Sequence, residues 1–173
     1  PLYGTSMSPL VDGELVIVHV GNHDDGALTA FDRDTGRVQW SWDGDGPGYG
    51  SPIVAEFDGM RQIITFTQEN LVGVYAASGK LLWQRPYATR STQNTITPIL
   101  YGRSVIVSGL GNPTAAFNVF RRDDGWVTEN IWENREVSLY MTNGVVVDGV
   151  LFGLSHRNSG QYFALDAATG TTL

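Results

Sequence analysis

The chain has 173 residues, 21 of them glycine, with 17% charged residues, a formal net charge of −7 and no cysteine. That acidic balance offers no basic stripe for nucleic-acid phosphates, and the lack of cysteine excludes disulfides, thiolate metal ligands and cysteine nucleophiles from these residues. No apolar run approaches the length of a membrane span, while abundant glycine with few charges suits many short strands joined by turns.

Four strands are expected in the first stretch. Ser8-Pro9-Leu10-Val11 opens one, with proline where it need not donate to the ladder. A turn at Gly13 leads to a second strand over residues 15–20. The alternating run Leu28-Thr29-Ala30-Phe31-Asp32 makes a third, the turn Arg33-Asp34-Thr35-Gly36 follows, and Trp40 marks a fourth. Gly36 supplies the positive φ that a short hairpin loop requires, and Thr35 can hydrogen-bond the turn backbone.

The pattern then recurs. The second copy runs from Ser51-Pro52-Ile53-Val54 through Gly59, a strand over 62–67, the run Leu71-Val72-Gly73-Val74-Tyr75, Ser78-Gly79 and Trp83. The third opens at Thr97-Pro98-Ile99-Leu100, turns at Gly102, has a strand over 105–108, then Ala116 to Phe120 and Asp124-Gly125. Here Trp126 follows the glycine directly and Trp132 comes seven residues after it. The fourth strand is read as extended or bulged, with Trp132 as its packing residue. The fourth copy runs from Thr142-Asn143-Gly144-Val145 through Gly149, a strand over 150–154, Tyr162 to Ala168 and Thr169-Gly170. It reaches Leu173 one residue before the tryptophan position, so the chain is expected to be a segment of a longer protein.

The turn glycines 36, 79, 125 and 170 lie 43, 46 and 45 residues apart, and the openings at 9, 52, 98 and 143 repeat with the same spacings. Two markers moving in step identify a repeat, and a period of this length marks a propeller blade or similar unit. The expected fold is all-β: a β-propeller segment of about four four-stranded antiparallel blades, near residues 8–42, 51–85, 97–132 and 142–173. Such a meander cannot bury both faces alone, so successive sheets pack face to face around an axis. Trp40, Trp83 and Trp132 are expected between neighbouring blades, with Gly36, Gly79, Gly125 and Gly170 at the turns.

The motif Ala30-Phe31-Asp32-Arg33-Asp34-Thr35-Gly36-Arg37-Val38-Gln39-Trp40 resembles the tryptophan-docking motif of quinoprotein-like (PQQ-like) β-propellers, and Ala164-Leu165-Asp166-Ala167-Ala168-Thr169-Gly170 matches it as far as it goes. Gly73 and Tyr75 replace the alanine and aspartate in the second copy, and Val119 and Arg121 fall there in the third. The resemblance spans the whole chain and implies a seven- or eight-bladed ring, of which four blades are about half. The family includes periplasmic pyrroloquinoline quinone dehydrogenases and outer-membrane assembly scaffold lipoproteins that bind no quinone. The motif belongs to the fold they share and identifies no reaction.

Binding residues gather where variable loops meet a rigid scaffold. In an up-and-down blade the loop entering the first strand and the loop joining the second to the third share one end. At that end lie residues 3–7, 21–26, 43–50, 88–96, 109–115, 134–141 and 155–160; short glycine turns form the other. Tyr3, Ser6, Tyr49, Gln93, Asn94, Thr95 and Tyr140 precede first strands and are expected to point nearest the axis as candidate ligand-binding residues, with Tyr49, Gln93 and Asn94 as the polar lining of a channel mouth. The alternative is that they satisfy loop backbones. His19 and His23 are four apart, a spacing that aligns two side chains on a helix and not on a strand entering a loop, so no metal site is expected. Asp32, Asp34 and Gly36 differ from a calcium loop because the glycine is one place early and the closing glutamate is absent. No nucleophile elbow or phosphate loop is present.

The resemblance implies a non-catalytic scaffold of the bacterial envelope or periplasm. Its partners would be proteins or peptides and the remaining blades of its own ring, without cofactor. The alternative it leaves open is a piece of a pyrroloquinoline quinone dehydrogenase using calcium and acting on alcohols or sugars.

Overall fold

A computed structural model describes residues 3–123 and 125–173, which form strands and tight turns with two single-turn 3-10 segments, Arg90–Thr92 and Arg157–Ser159. No described helix is long and apolar enough to cross a membrane. The chain divides into two compact units, Pro1–Asn94 and Thr95–Leu173. The first holds two meanders: β1 (Leu10–Asp12), β2 (Leu15–Gly21), β3 (Gly26–Asp32) and β4 (Val38–Gly44), then β5 (Ile53–Phe57), β6 (Met60–Phe66), β7 (Asn70–Tyr75) and β8 (Leu81–Pro86). The second holds β9 (Ile99–Tyr101), β10 (Ser104–Gly109), β11 (Asn112–Arg122) and β12 (Gly125–Asn134), then β13 (Val145–Val147), β14 (Val150–Ser155) and β15 (Gln161–Asp166). All pairings are antiparallel between strands consecutive in sequence. The class is all-β. The fourth sheet has three strands where four were expected, with Thr172 bridging to Leu165.

Within the first unit the two sheets share a core. Ile17, Leu28, Ala30 and Trp40 of the first pack with Ile63 and Val74 of the second and with Ala76, flanked by Leu10, Leu15, Trp42 and Val54. Ile17, Leu28, Ile63 and Val74 are fully buried, each contributing about 1.5–3 kcal/mol over exposure.

The last strand of each complete sheet is bulged one residue before its tryptophan. Ala30 pairs with Trp40 but Phe31 with Val38; Gly73 with Trp83 but Val74 with Leu81; Ala116 with Trp132 but Phe117 with Asn130. The extra residue twists the strand, and each indole then stands opposite a small residue. A Cβ on Gly73 would lie 2.2 Å from the Trp83 ring, which is why glycine stands there in the second copy. The Trp40 ring lies against Gly79, and its indole N–H donates to the Ala76 carbonyl at 3.0 Å. In the second unit Trp132 repeats this against Gly170, donating to the Ala167 carbonyl at 3.1 Å. The Trp83 indole N–H donates within its own sheet, to Gln62 Oε1 at 2.7 Å.

The turns explain the Asp-x-x-Thr-Gly sequence. Asp32 Oδ1 accepts from the backbone N–H of Asp34 and Thr35 and from Thr35 Oγ1, and Gly36 takes φ +69°. Asp166 Oδ1 likewise accepts from Ala168 N, Thr169 N and Thr169 Oγ1. These bonds favour the ionised form, led by the hydroxyl of Thr35 at Asp32 and the backbone N–H of Thr169 at Asp166, and hold both carboxyls below their ordinary value. The stability they confer is therefore complete above the ordinary carboxylate pKa and is lost as pH falls through the lower folded value. Asp32→Ala is expected to lower the melting temperature at neutral pH and to narrow the gap between neutral and acid melting temperatures; an unchanged gap would show that the turn carries no such linkage.

The third copy differs from its sequence reading. Ala116 and Trp132 are 16 residues apart, against 10 for Ala30–Trp40 and Gly73–Trp83, so its hairpin is six residues longer. Ala116 and Asn118 thus stand where Ala30 and Asp32 do, not Val119 and Arg121; Asn118 accepts a hydrogen bond from Ser104 Oγ. At the tip Asp123 takes φ +51°. Asp124, expected to bond the turn backbone, lies outside the described residues.

Candidate binding face

In the first unit, residues 45–50 form a strap over the β6–β7 turn. Asp45 Oδ2 accepts from Thr67 Oγ1 at 2.7 Å, Glu69 N at 2.8 Å and Asn70 Nδ2 at 3.2 Å. Gln68 N donates to Gly46 O and Gly48 N to Phe66 O. The strap lies so close that a Cβ on Gly46 would meet Gln68 Nε2 at 2.3 Å, and one on Gly48 would meet Phe66 O at 2.8 Å. The Gly-Pro-Gly-Tyr-Gly sequence is thus a close-approach device.

Four of the candidate residues meet here. Tyr49 N and Gly50 N both donate to the Asn94 carbonyl, at 2.8 and 3.1 Å. Tyr49 OH accepts from Tyr3 N at 3.0 Å, and Ser6 Oγ donates to Tyr49 O at 3.3 Å. Asn94 is 2% exposed, and its Nδ2 lies within hydrogen-bond reach of the carbonyls of Thr67, Gln68 and Tyr87. Its amide is engaged inside the loops, whereas Tyr3 is 75% exposed. Gln93 precedes it in the same loop, half-buried.

In the second unit Thr95 Oγ1 donates to the Tyr140 carbonyl, and the Tyr140 ring meets His156 edge-on at 5.9 Å. His156 N and Nδ1 both contact Ser138 O, at 3.0 and 2.9 Å, and Met141 is exposed. Ser138 Oγ lies 2.8 Å from the carbonyls of Gly109 and Asn112. A serine nucleophile needs a base within hydrogen-bond reach; this hydroxyl faces two carbonyls instead. The connection expected as a loop over 109–115 is a two-residue turn between paired Gly109 and Asn112, with Gly111 at φ +83°. Pro113 sits at the register irregularity, where a strand tolerates a missing N–H.

Sequence reasoning passed over the half-buried Asp45 and the buried Thr67, Gln68 and Ser138, whose polar atoms organise these loops. The polar run Thr67-Gln68-Glu69-Asn70 after an apolar strand was the available signal. His19 and His23 part company: His19 is buried, while His23 is exposed beside Asp24 at 3.3 Å. Among the described residues no group of three or more His, Cys, Asp or Glu is placed to hold a metal ion.

The sequence profile of the family described as outer membrane protein assembly factor BamB matches residues 2–173. Among solved structures, BamB from Moraxella catarrhalis is similar at TM-score 0.69 and 21% identity, over 97% of this chain and 50% of that one. Quinohemoprotein alcohol dehydrogenase ADHIIG from Pseudomonas putida HK5 is similar at TM-score 0.63 and 12% identity, over 98% and 33%. The quinohemoprotein alcohol dehydrogenase of Comamonas testosteroni is similar at 0.62 and 15%, over 98% and 34%. The chain thus spans about half the length of the BamB structure, as a partial propeller. No curated protein matches significantly.

Proposed function

Because the chain belongs to the outer membrane protein assembly factor BamB family, we propose that it is part of a non-catalytic propeller that binds proteins or extended peptides as an assembly scaffold in the bacterial cell envelope. The observation that carries this reading is the loop end of each unit. Its polar side chains are engaged in holding loops, which leaves a fixed surface for Tyr3, Ser6, Tyr49 and Gln93 in the first unit and Thr95 and Tyr140 in the second. Asn94 acts there as a strut. Trp40 on Gly79 and Trp132 on Gly170 serve as inter-sheet docking contacts. Trp83 donates within its own sheet, to Gln62, and an added Cβ at Gly36 or Gly125 would meet no indole within 4 Å.

The dehydrogenase alternative rests on likeness in fold alone. It would need free carboxylate oxygens for calcium beside a quinone, and the half-buried carboxylate at the loop end, Asp45, has Oδ2 engaged by three donors. The test uses the full-length protein in cells, with a photo-crosslinking side chain at Tyr3, Tyr49 or Tyr140, and at Lys80 or Asp148 on the short-turn end as controls. Adducts of one defined mass from the loop-end positions alone are expected. Equal adducts from both ends would overturn the assignment of the face, and a saturable rise in melting temperature with pyrroloquinoline quinone plus calcium would overturn the non-catalytic reading.

A further inference from the structure

The four sheet openings align Pro9, Pro52 and Pro98 with Asn143, and Asn143 alone among the asparagines is followed by glycine. In the second unit Asn143 is exposed, and its Oδ1 accepts the backbone N–H of Thr97 at 2.9 Å, which clasps the openings of the third and fourth sheets. The first unit makes the same clasp with a hydroxyl, Ser8 N donating to Ser51 Oγ at 2.9 Å. Thr142, the counterpart of Ser51, is turned away, its Oγ1 donating to Leu154 O at 2.9 Å. Gly144 is dictated by space, since a Cβ there would lie 2.9 Å from Leu151 Cδ1 and 3.1 Å from Ile99 Cδ1 and Phe152 O. It also stands outside the β13–β14 ladder, which begins at Val145 opposite Phe152.

We propose that Asn143-Gly144 is a self-modification site, which deamidates in the folded protein and opens this clasp as the protein ages. Gly144 N bonds to Asn143 Cγ, the Cγ–Nδ2 bond breaks, and the amide nitrogen leaves as ammonia, taking up the Gly144 proton. Water then opens the succinimide at either carbonyl and gives aspartate or isoaspartate. Glycine has no Cβ to hinder the attack, and the Oδ1 on which negative charge develops already receives the Thr97 N–H, an arrangement that stabilises such charge. Ser51-Pro52 is inert by contrast, because a hydroxyl offers no carbonyl carbon and proline no N–H. An aspartate keeps an oxygen for Thr97 N. An isoaspartate carries the main chain through the former side chain, lengthening it by one methylene beside a glycine that Leu151, Ile99 and Phe152 enclose, so the acceptor leaves Thr97. The loosened openings adjoin Thr95 and Tyr140; any effect on docking rests on the reading above, the modification itself does not.

The experiment incubates the full-length protein in warm, mildly alkaline buffer, folded and, in parallel, unfolded in guanidinium. Peptide mass follows Asn143, and labelling by isoaspartyl methyltransferase identifies the isoaspartate. Asn143 should convert ahead of every other asparagine, and no more slowly in the folded chain than in the unfolded one. The aspartyl and isoaspartyl fractions of the aged protein are then separated and read by amide hydrogen exchange at Thr97. Exchange there should rise by about tenfold in the isoaspartyl fraction, the worth of one hydrogen bond, and stay at the fresh level in the aspartyl fraction. Asn143→Gln, whose longer side chain closes the ring poorly, should show no rise after the same incubation. Four outcomes overturn the proposal: Asn143 intact in the folded chain while the unfolded one converts, Thr97 protection unchanged in the isoaspartyl fraction, an equal rise in the aspartyl fraction, or a rise on ageing of Asn143→Gln. Should that variant fail to fold, the two wild-type fractions decide alone.

Discussion

Trp40→Ala is expected to destabilise the protein by about 3–5 kcal/mol, the range for removing a large aromatic side chain from a core. Trp40 is 8% exposed and packs with Ile17, Leu28, Ile63 and Val74, so the void would open between two sheets. Trp132→Ala should fall toward the lower end of the range, because Trp132 is only half-buried. Trp40→Phe separates packing from polarity: it keeps much of the buried area but leaves the Ala76 carbonyl without its indole donor, at about 1–3 kcal/mol. Trp126→Ala is the contrast, since Trp126 stands on the extended hairpin opposite Arg121, away from the Gly170 contact. Denaturant unfolding of the four variants measures the differences. A cost for Trp40→Ala no greater than for Trp126→Ala would show that the indole contacts do not hold the sheets.

Gly79→Ala and Gly36→Ala should differ sharply although the two glycines share a backbone conformation, φ +70° and +69°. Alanine in the left-handed region costs about 1–2 kcal/mol at either site. Around Gly36 a new Cβ meets nothing within 4 Å, so little more is expected; at Gly79 it would lie 2.4 Å from Trp40 Cε3. Overpacking of that kind adds about 1–3 kcal/mol. Gly170→Ala should follow Gly79→Ala, because its Cβ would meet Trp132 Cε3 at 2.4 Å. The clash term is removable: in the background of Trp40→Ala, Gly79→Ala should cost no more than Gly36→Ala, a coupling of about 1 kcal/mol or more. Equal costs for Gly36→Ala and Gly79→Ala in the wild-type background would mean that the ring is not seated on the turn.

The candidate face was legible in outline. The topology of an up-and-down meander puts residues 3–7 and 43–50 at one end, so Tyr3, Ser6, Tyr49 and Asn94 could be expected to gather there, and they form one network. Their chemistry was not legible, because Asn94 reads as a polar loop residue and only its surroundings show an amide engaged by three carbonyls. His19 was harder still. On a strand, successive side chains alternate between faces, but which face is covered is decided by segments remote in sequence, and His19 is 1% exposed.

By itself the sequence determined the repeat, the all-β class and the glycine turns at Gly36, Gly79 and Gly170. Strand alternation, proline at strand starts and glycine at left-handed turns are local properties of the chain, and the same local answer recurs at 43 to 46 residues. Only tertiary structure decided which residue opposes which. In the third copy the longer hairpin and its bulge place Ala116 opposite Trp132 and put Asp123 in a left-handed position. A register of this kind follows from packing a large ring against a small partner. That constraint acts between strands, so no spacing along one strand could disclose it.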